Sequence, residues 1–167
     1  MIAYALLLVF PVAMTFAAAN DLFTMKIPNK ISLLLIASFV LAAVYVQLPL
    51  ETAAWHLAVG VIALLAGFAM FSLRLLGGGD AKLMAAGALW MGPEHVLYYI
   101  AYVTIFGGLL SGLILAYRKY VPVTADALPP WAAKLHVQGT GIPYGIAIAA
   151  SGLIMYPSTL WYHALQG

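Results

Sequence analysis

The sequence predicts an all-α polytopic membrane protein with six transmembrane helices, the fourth of them short, in which residues 1–167 form one integral-membrane domain. Three observations predict this. Hydrophobic residues make up 65% of the chain and charged residues only 7%, too few to clothe the surface of a water-soluble fold of this length. Apolar runs long enough to span a bilayer recur at 1–19, 31–50, 52–73, 96–117 and 141–162, and a shorter one lies at 83–93. Threading all six runs through a membrane puts every Lys and Arg on one side. The positive-inside rule then makes that side cytoplasmic and the N-terminus external.

The first run lacks a basic leading region and is followed by more membrane sequence, so it reads as a first helix rather than a cleaved signal. Pro28 disfavours helical geometry at Ile27, and Asn29 is expected to cap a second helix starting near Lys30. The second and third runs meet around Glu51, where there is no Lys or Arg. After the third run come Arg74, the glycines Gly77, Gly78 and Gly79, and Lys82; the glycines are expected to unwind the end of helix three. The fourth helix draws on residues 80–93, about 21 Å at the ideal rise, against a hydrocarbon core of roughly 30 Å. So short a crossing requires a thinned bilayer or a helix end sunk within protein. Another connection without Lys or Arg, around Glu94, leads to the fifth run. Residues 118–140 contain Pro122, Pro129 and Pro130 and read as a cytoplasmic loop with an interfacial segment near Trp131. Trp131, Trp161, Tyr162 and Tyr98 suit the membrane interface, while Glu51, Glu94 and Asp126 are expected on loops.

Several chemistries are excluded. A chain without cysteine holds no disulfide or thiolate metal cluster and performs no cysteine-protease chemistry. A net charge of +2 does not point to nucleic acid. His56, His95, His136 and His163 are dispersed, with no metalloprotease spacing. Neither a metal nor another cofactor is implied.

Two acids remain near the cytoplasmic boundary, where acidic residues are costly and are candidates for function. Asp21 stands at the C-terminal end of the first helix, a poor place for an anion because the helix carbonyls point there. Asp80 stands at the start of the fourth, where first-turn amides favour a carboxylate. Brought together, two carboxyls share a proton, so that one acts as a base towards water while the other donates a hydrogen bond. The helix ends assign the shared proton more often to Asp21.

At these residues the sequence resembles the type IV prepilin peptidase family of bacterial membrane aspartic proteases. Asp21 precedes Ile27-Pro28-Asn29, and Asp80 lies in Gly77-Gly78-Gly79-Asp80-Ala81-Lys82-Leu83, similar to the family's Gly-x-Gly-Asp-x-Lys-Leu. Ile142-Pro143-Tyr144-Gly145 resembles the segment that opens the last helix in short members. The resemblance implies catalytic roles for Asp21 and Asp80 and supporting ones for Gly77, Gly79, Lys82, Lys26, Pro28 and Asn29. Either lysine could orient a carboxylate or the substrate main chain, or merely snorkel to lipid headgroups.

The implied activity is cleavage of the short basic leader from prepilin or pseudopilin precursors, which carry a hydrophobic helix, at the cytoplasmic face of the bacterial inner membrane. Membrane lipids and pilus-assembly proteins are the other implied partners. Phe23 stands where relatives often carry Arg, and the cysteine-containing segment associated with N-methylation is missing. The likeness is therefore to the short type serving Flp or Tad pili, without methyltransferase activity. A small ion-coupled transporter and a non-enzymatic pilus-assembly scaffold are the alternatives. The first requires acids within a translocation path, and the second predicts that both aspartates are dispensable.

Overall fold

The computed structural model describes residues 2–121, 129–137 and 141–166, and every regular element among them is helical. The order is α1 (Ile2–Thr24), α2 (Asn29–Tyr45), α3 (Leu50–Ser72), α4 (Gly78–Tyr120), α5 (Pro130–His136), α6 (Tyr144–Met155), a 3-10 turn (Tyr156–Ser158) and α7 (Leu160–Gln166). Helices α1, α3 and α4 are long and apolar enough to cross a membrane; Asn29–Tyr45 and Tyr144–Ser158 are apolar but shorter. Length and composition thus establish three membrane-crossing candidates where the sequence predicts six crossings.

Helix α4 accounts for part of the difference. It joins the predicted fourth and fifth helices, with a break at Gly92, whose φ of 66° and ψ of −176° lie in a region that essentially only glycine adopts. The two arms, 78–91 and 93–120, run in opposite directions past α3. Gly60 of α3 faces Leu89 and Gly67 faces Ala81, so the short arm is antiparallel to α3. The long arm leaves Gly92 beside His56 near the start of α3 and passes Tyr144 at Gly107, and Tyr144 borders a cavity with Leu75 and Leu76 just past the end of α3, so the long arm is parallel to it.

The short arm is buried almost all round, from Asp80 and Ala81 through Leu83 to Gly92, and it packs against α2, α3 and α6. A helix of about 21 Å is tolerated there because its ends lie within protein rather than lipid. Small residues let the neighbours close in, as where Gly67 meets Ala81 and Gly87 meets the Tyr99 hydroxyl.

The break itself needs partners. Pro93 has no N–H, so the carbonyl of Leu89 loses its helical donor, and the turn at Gly92 strips that of Trp90. His56 Nδ1–H donates to Leu89 O at 2.8 Å, and Trp161 Nε1–H donates to Trp90 O at 2.7 Å. His56 is therefore structural, and Trp161, expected at the interface, is fully buried instead. Both belong to an aromatic core at the far end from the aspartates. Phe10 stacks on Tyr156 at 4.8 Å, Phe39 meets Trp161 at 5.0 Å, and Trp90 meets Trp161 at 5.2 Å. The polar tips are satisfied as well: Trp90 Nε1–H donates to Leu35 O and the Tyr156 hydroxyl to Leu7 O, each at 2.9 Å.

Further expectations are corrected. Glu51 lies in the first turn of α3 and Glu94 lies in α4, so neither is on a loop. The predicted last helix is interrupted after Met155, where Pro157 sits in the 3-10 turn and withholds a helical donor. Trp131 belongs to α5 and meets Phe23 edge-on at 6.4 Å, while Arg118 Nε donates to Leu135 O at 2.7 Å, tying α5 to α4. Pro122 and Asp126 lie outside the described residues.

Candidate active site

Asp21 enters from the last turn of α1 and is buried, 5% exposed. The helix stops at Met25, whose φ of 57° is left-handed and whose N–H donates to Asp21 O at 2.8 Å. Pro28, extended at ψ 134°, then starts α2 without a side-chain cap. The capping role expected of Asn29 is therefore not observed. Its Oδ1 instead accepts from Lys82 Nζ at 3.0 Å, clasping the start of α2 to the start of α4.

Asp80 arrives by a second turn. Helix α3 closes with Leu75 N–H donating to Met70 O and Arg74 N–H to Phe71 O, both at 2.9 Å, around a left-handed Arg74 (φ 60°). The glycines do not unwind that end: Gly77 precedes α4, and Gly78 and Gly79 form its first turn. Asp80, in the first turn of α4, is 8% exposed; the backbone N–H groups of Gly77 and Gly145 act on its carboxylate, while its Oδ1 is buried with no hydrogen-bond partner among the described residues. Gly77 makes room for this carboxylate, since a Cβ there would lie 2.5 Å from Asp80 Oδ2.

Helix α6 completes the arrangement. Gly145 N–H, at the start of α6, donates to Asp21 Oδ2 at 2.8 Å across 124 residues of sequence, and it also acts on the Asp80 carboxylate. Ile27 is wedged between the two later motifs. A Cβ on Gly79 would lie 3.1 Å from Ile27 Cβ, and one on Gly145 would lie 2.8 Å from Ile27 Cδ1. Each of these glycines is needed because another chain segment occupies the space of its side chain.

Both aspartates line the same two cavities. One, of about 420 Å³, is bounded also by Met25, Phe71, Arg74, Leu76 and Tyr144. The other, of about 320 Å³, is bounded by Met25, Lys26, Ile27 and the glycines 77–79. The structure thus brings together Asp21, Asp80, Gly77, Gly79 and Lys26, with Pro28 next to Ile27. Lys82 and Asn29 stand apart, lining a separate apolar cavity between α2 and α3.

Asp80 is influenced most by its burial and next by charge repulsion from Asp21. Among the described residues no group of three His, Cys, Asp or Glu converges that could hold a metal ion. Chemically the arrangement presents two carboxyl groups to the same two cavities, each large enough to hold water.

Sequence reasoning missed Gly145 N–H as a donor to Asp21, Ile27 as the wedge, and Arg74 and Tyr144 as cavity walls. The Ile142-Pro143-Tyr144-Gly145 segment was a signal for helix packing, but nothing local to it indicates which group its amide meets.

The sequence profile of the type IV leader peptidase family matches residues 8–114, a span that includes both aspartates and the first two motifs. No curated protein and no solved structure matches the chain.

Proposed function

The chain belongs to the type IV leader peptidase family, and from that membership we propose that it is an aspartic endopeptidase removing the short basic leader of prepilin or pseudopilin precursors at the cytoplasmic face of the inner membrane. The observation that carries the aspartic mechanism is the shared lining: Asp21 and Asp80, 59 residues apart in sequence, face the same two cavities. The topology proposed with it places all six runs across the bilayer and the N-terminus outside. Lys26 and Arg74 at the walls of the aspartate cavities agree with a cytoplasmic site.

In the mechanism, a water lies between the carboxyls. Its proton passes to Asp21 as the oxygen attacks the scissile carbonyl carbon, while the Asp80 carboxyl protonates the carbonyl oxygen. The tetrahedral intermediate collapses as the amine leaves with the proton held on Asp21, and the carbonyl proton returns to Asp80. The helix-end argument favours the resting proton on Asp21. We place it on Asp80 instead, because backbone N–H groups act on both carboxylates but the Oδ1 of Asp80 is buried with no partner among the described residues and is free to carry a proton.

The test is reconstitution of the chain in vesicles with a precursor bearing a basic leader ahead of an apolar helix, followed by mass measurement of the products. Cleavage before the helix supports the proposal. An intact precursor alongside folded protein rejects it.

A further inference from the structure

Two apolar cavities lie along the helices, and they differ in what they join. The one between α2, α3 and the short arm of α4 shares no residue with the aspartate cavities, and the Lys82 to Asn29 hydrogen bond stands among its walls. The other, of about 630 Å³, runs between α3 and the long arm of α4. Its walls include Val59, Ile62 and Met70 of α3 and Val96, Ile100 and Val103 of α4. Leu75, Leu76 and Tyr144 line both this cavity and the larger aspartate cavity, so the two adjoin at these residues.

We propose that the groove between α3 and the long arm of α4 holds the apolar helix of the precursor, directly beyond the bond to be cut. This rests on the peptidase reading of Asp21 and Asp80. A chain passing between the aspartates reaches the groove across Leu75, Leu76 and Tyr144. From Val59 to Met70 the groove follows about 16 Å of helix, roughly three turns. It offers its occupant little polar contact, because the Thr104 hydroxyl is already bonded to Ile100 O at 2.8 Å. A polypeptide entering such a place must satisfy its own backbone groups, which a helix does.

Gly108 lies on the wall of this groove, and a Cβ there would meet nothing within 4 Å. Glycine costs a helix about 1 kcal/mol relative to alanine, and no neighbour among the described residues requires it at this position. Its bare backbone permits close approach by an occupant from outside the chain. Tyr144 is fixed at the junction, over Gly107 and with its hydroxyl 3.1 Å from the Ser111 hydroxyl oxygen.

The chain has no cysteine, so single thiols can be placed cleanly. Gly108→Cys is compared with Ile105→Cys, which lies on the same arm, is exposed, and is outside the groove. Each is combined with D21N in vesicles, and the precursor carries one cysteine in its helix, one or two turns beyond the cleavage site. Oxidation should give at least tenfold more precursor disulfide at G108C than at I105C. In the active chain, G108F should raise KM for the full precursor at least tenfold while a short soluble peptide spanning only the cleavage bond is cut as before.

Equal cross-linking at both positions, or none at G108C with a precursor that the active chain does cut, would overturn the groove assignment. A disulfide joining two copies through G108C would overturn it too, by making this face a homotypic interface. Failure of the parent chain to cut the precursor or the short peptide would instead sink the peptidase reading, and the groove assignment with it.

Discussion

Replacing Gly145 by Ala perturbs the proposed chemistry without touching either carboxyl. The added Cβ would lie 2.8 Å from Asp21 Oδ2, 3.0 Å from Asp21 Cβ and 2.8 Å from Ile27 Cδ1. Ordinary contact begins near 3.4 Å, so Asp21, Ile27 or the start of α6 must yield by about 0.6 Å. Movement of Ile27 relieves only its own contact; relief of the two contacts with Asp21 requires Asp21 or the start of α6 to move, and either strains the 2.8 Å bond from Gly145 N–H to Asp21. A hydrogen bond to a charged group contributes about 1.5–3 kcal/mol, and displacement of a catalytic group by about 1 Å costs on the order of 10²-fold in rate. G145A should therefore process precursor about 10- to 100-fold more slowly, with a stability loss of about 1–3 kcal/mol from overpacking. The assay is single-turnover cleavage in vesicles at matched enzyme abundance, with thermal melting in detergent alongside. A wild-type rate in G145A would refute the claim that this amide positions Asp21.

Three further predictions follow from separate parts of the structure. Single cysteines at residues 24 and 79 should label only from the cytoplasmic side and one at residue 94 only from outside; residue 94 sharing a side with residue 24 would defeat the proposed six crossings. Purified chain given precursor and S-adenosylmethionine should release a mature terminus without added methyl mass, and a methylated product would contradict the short-type assignment. Gly92→Ala should lower stability by about 1–3 kcal/mol, because its φ and ψ exclude other residues and the His56 ring occupies the place of the new Cβ. Melting of G92A at the wild-type temperature would show that the α4 break is not held as described.

Much of the site was legible because its chemistry is local in sequence. Asp21 ahead of Ile27-Pro28-Asn29, and Asp80 after three glycines, announce themselves by residue type in an otherwise apolar chain. What could not be read was the long-range geometry. The partner of the Gly145 amide lies 124 residues away, and no periodicity encodes that contact. Trp161 has the composition of an interfacial residue but is drawn into the core, because the break at Gly92 leaves Trp90 O in need of a donor. Asn29 has the chemistry of a helix cap, yet Lys82 from another helix claims its side chain. Each miss is a tertiary partner overriding a sound local preference.

The most direct test of the central claim is the precursor cleavage rate of D21N, D80N and the double variant, measured at equal abundance of folded protein. Asp→Asn keeps shape and much hydrogen bonding while removing the exchangeable carboxyl proton. If the two carboxyls act as one unit, each single variant should lose nearly all activity and the double variant should be little worse than either, because groups acting together are strongly non-additive. Near-normal processing by either folded single variant would contradict the account.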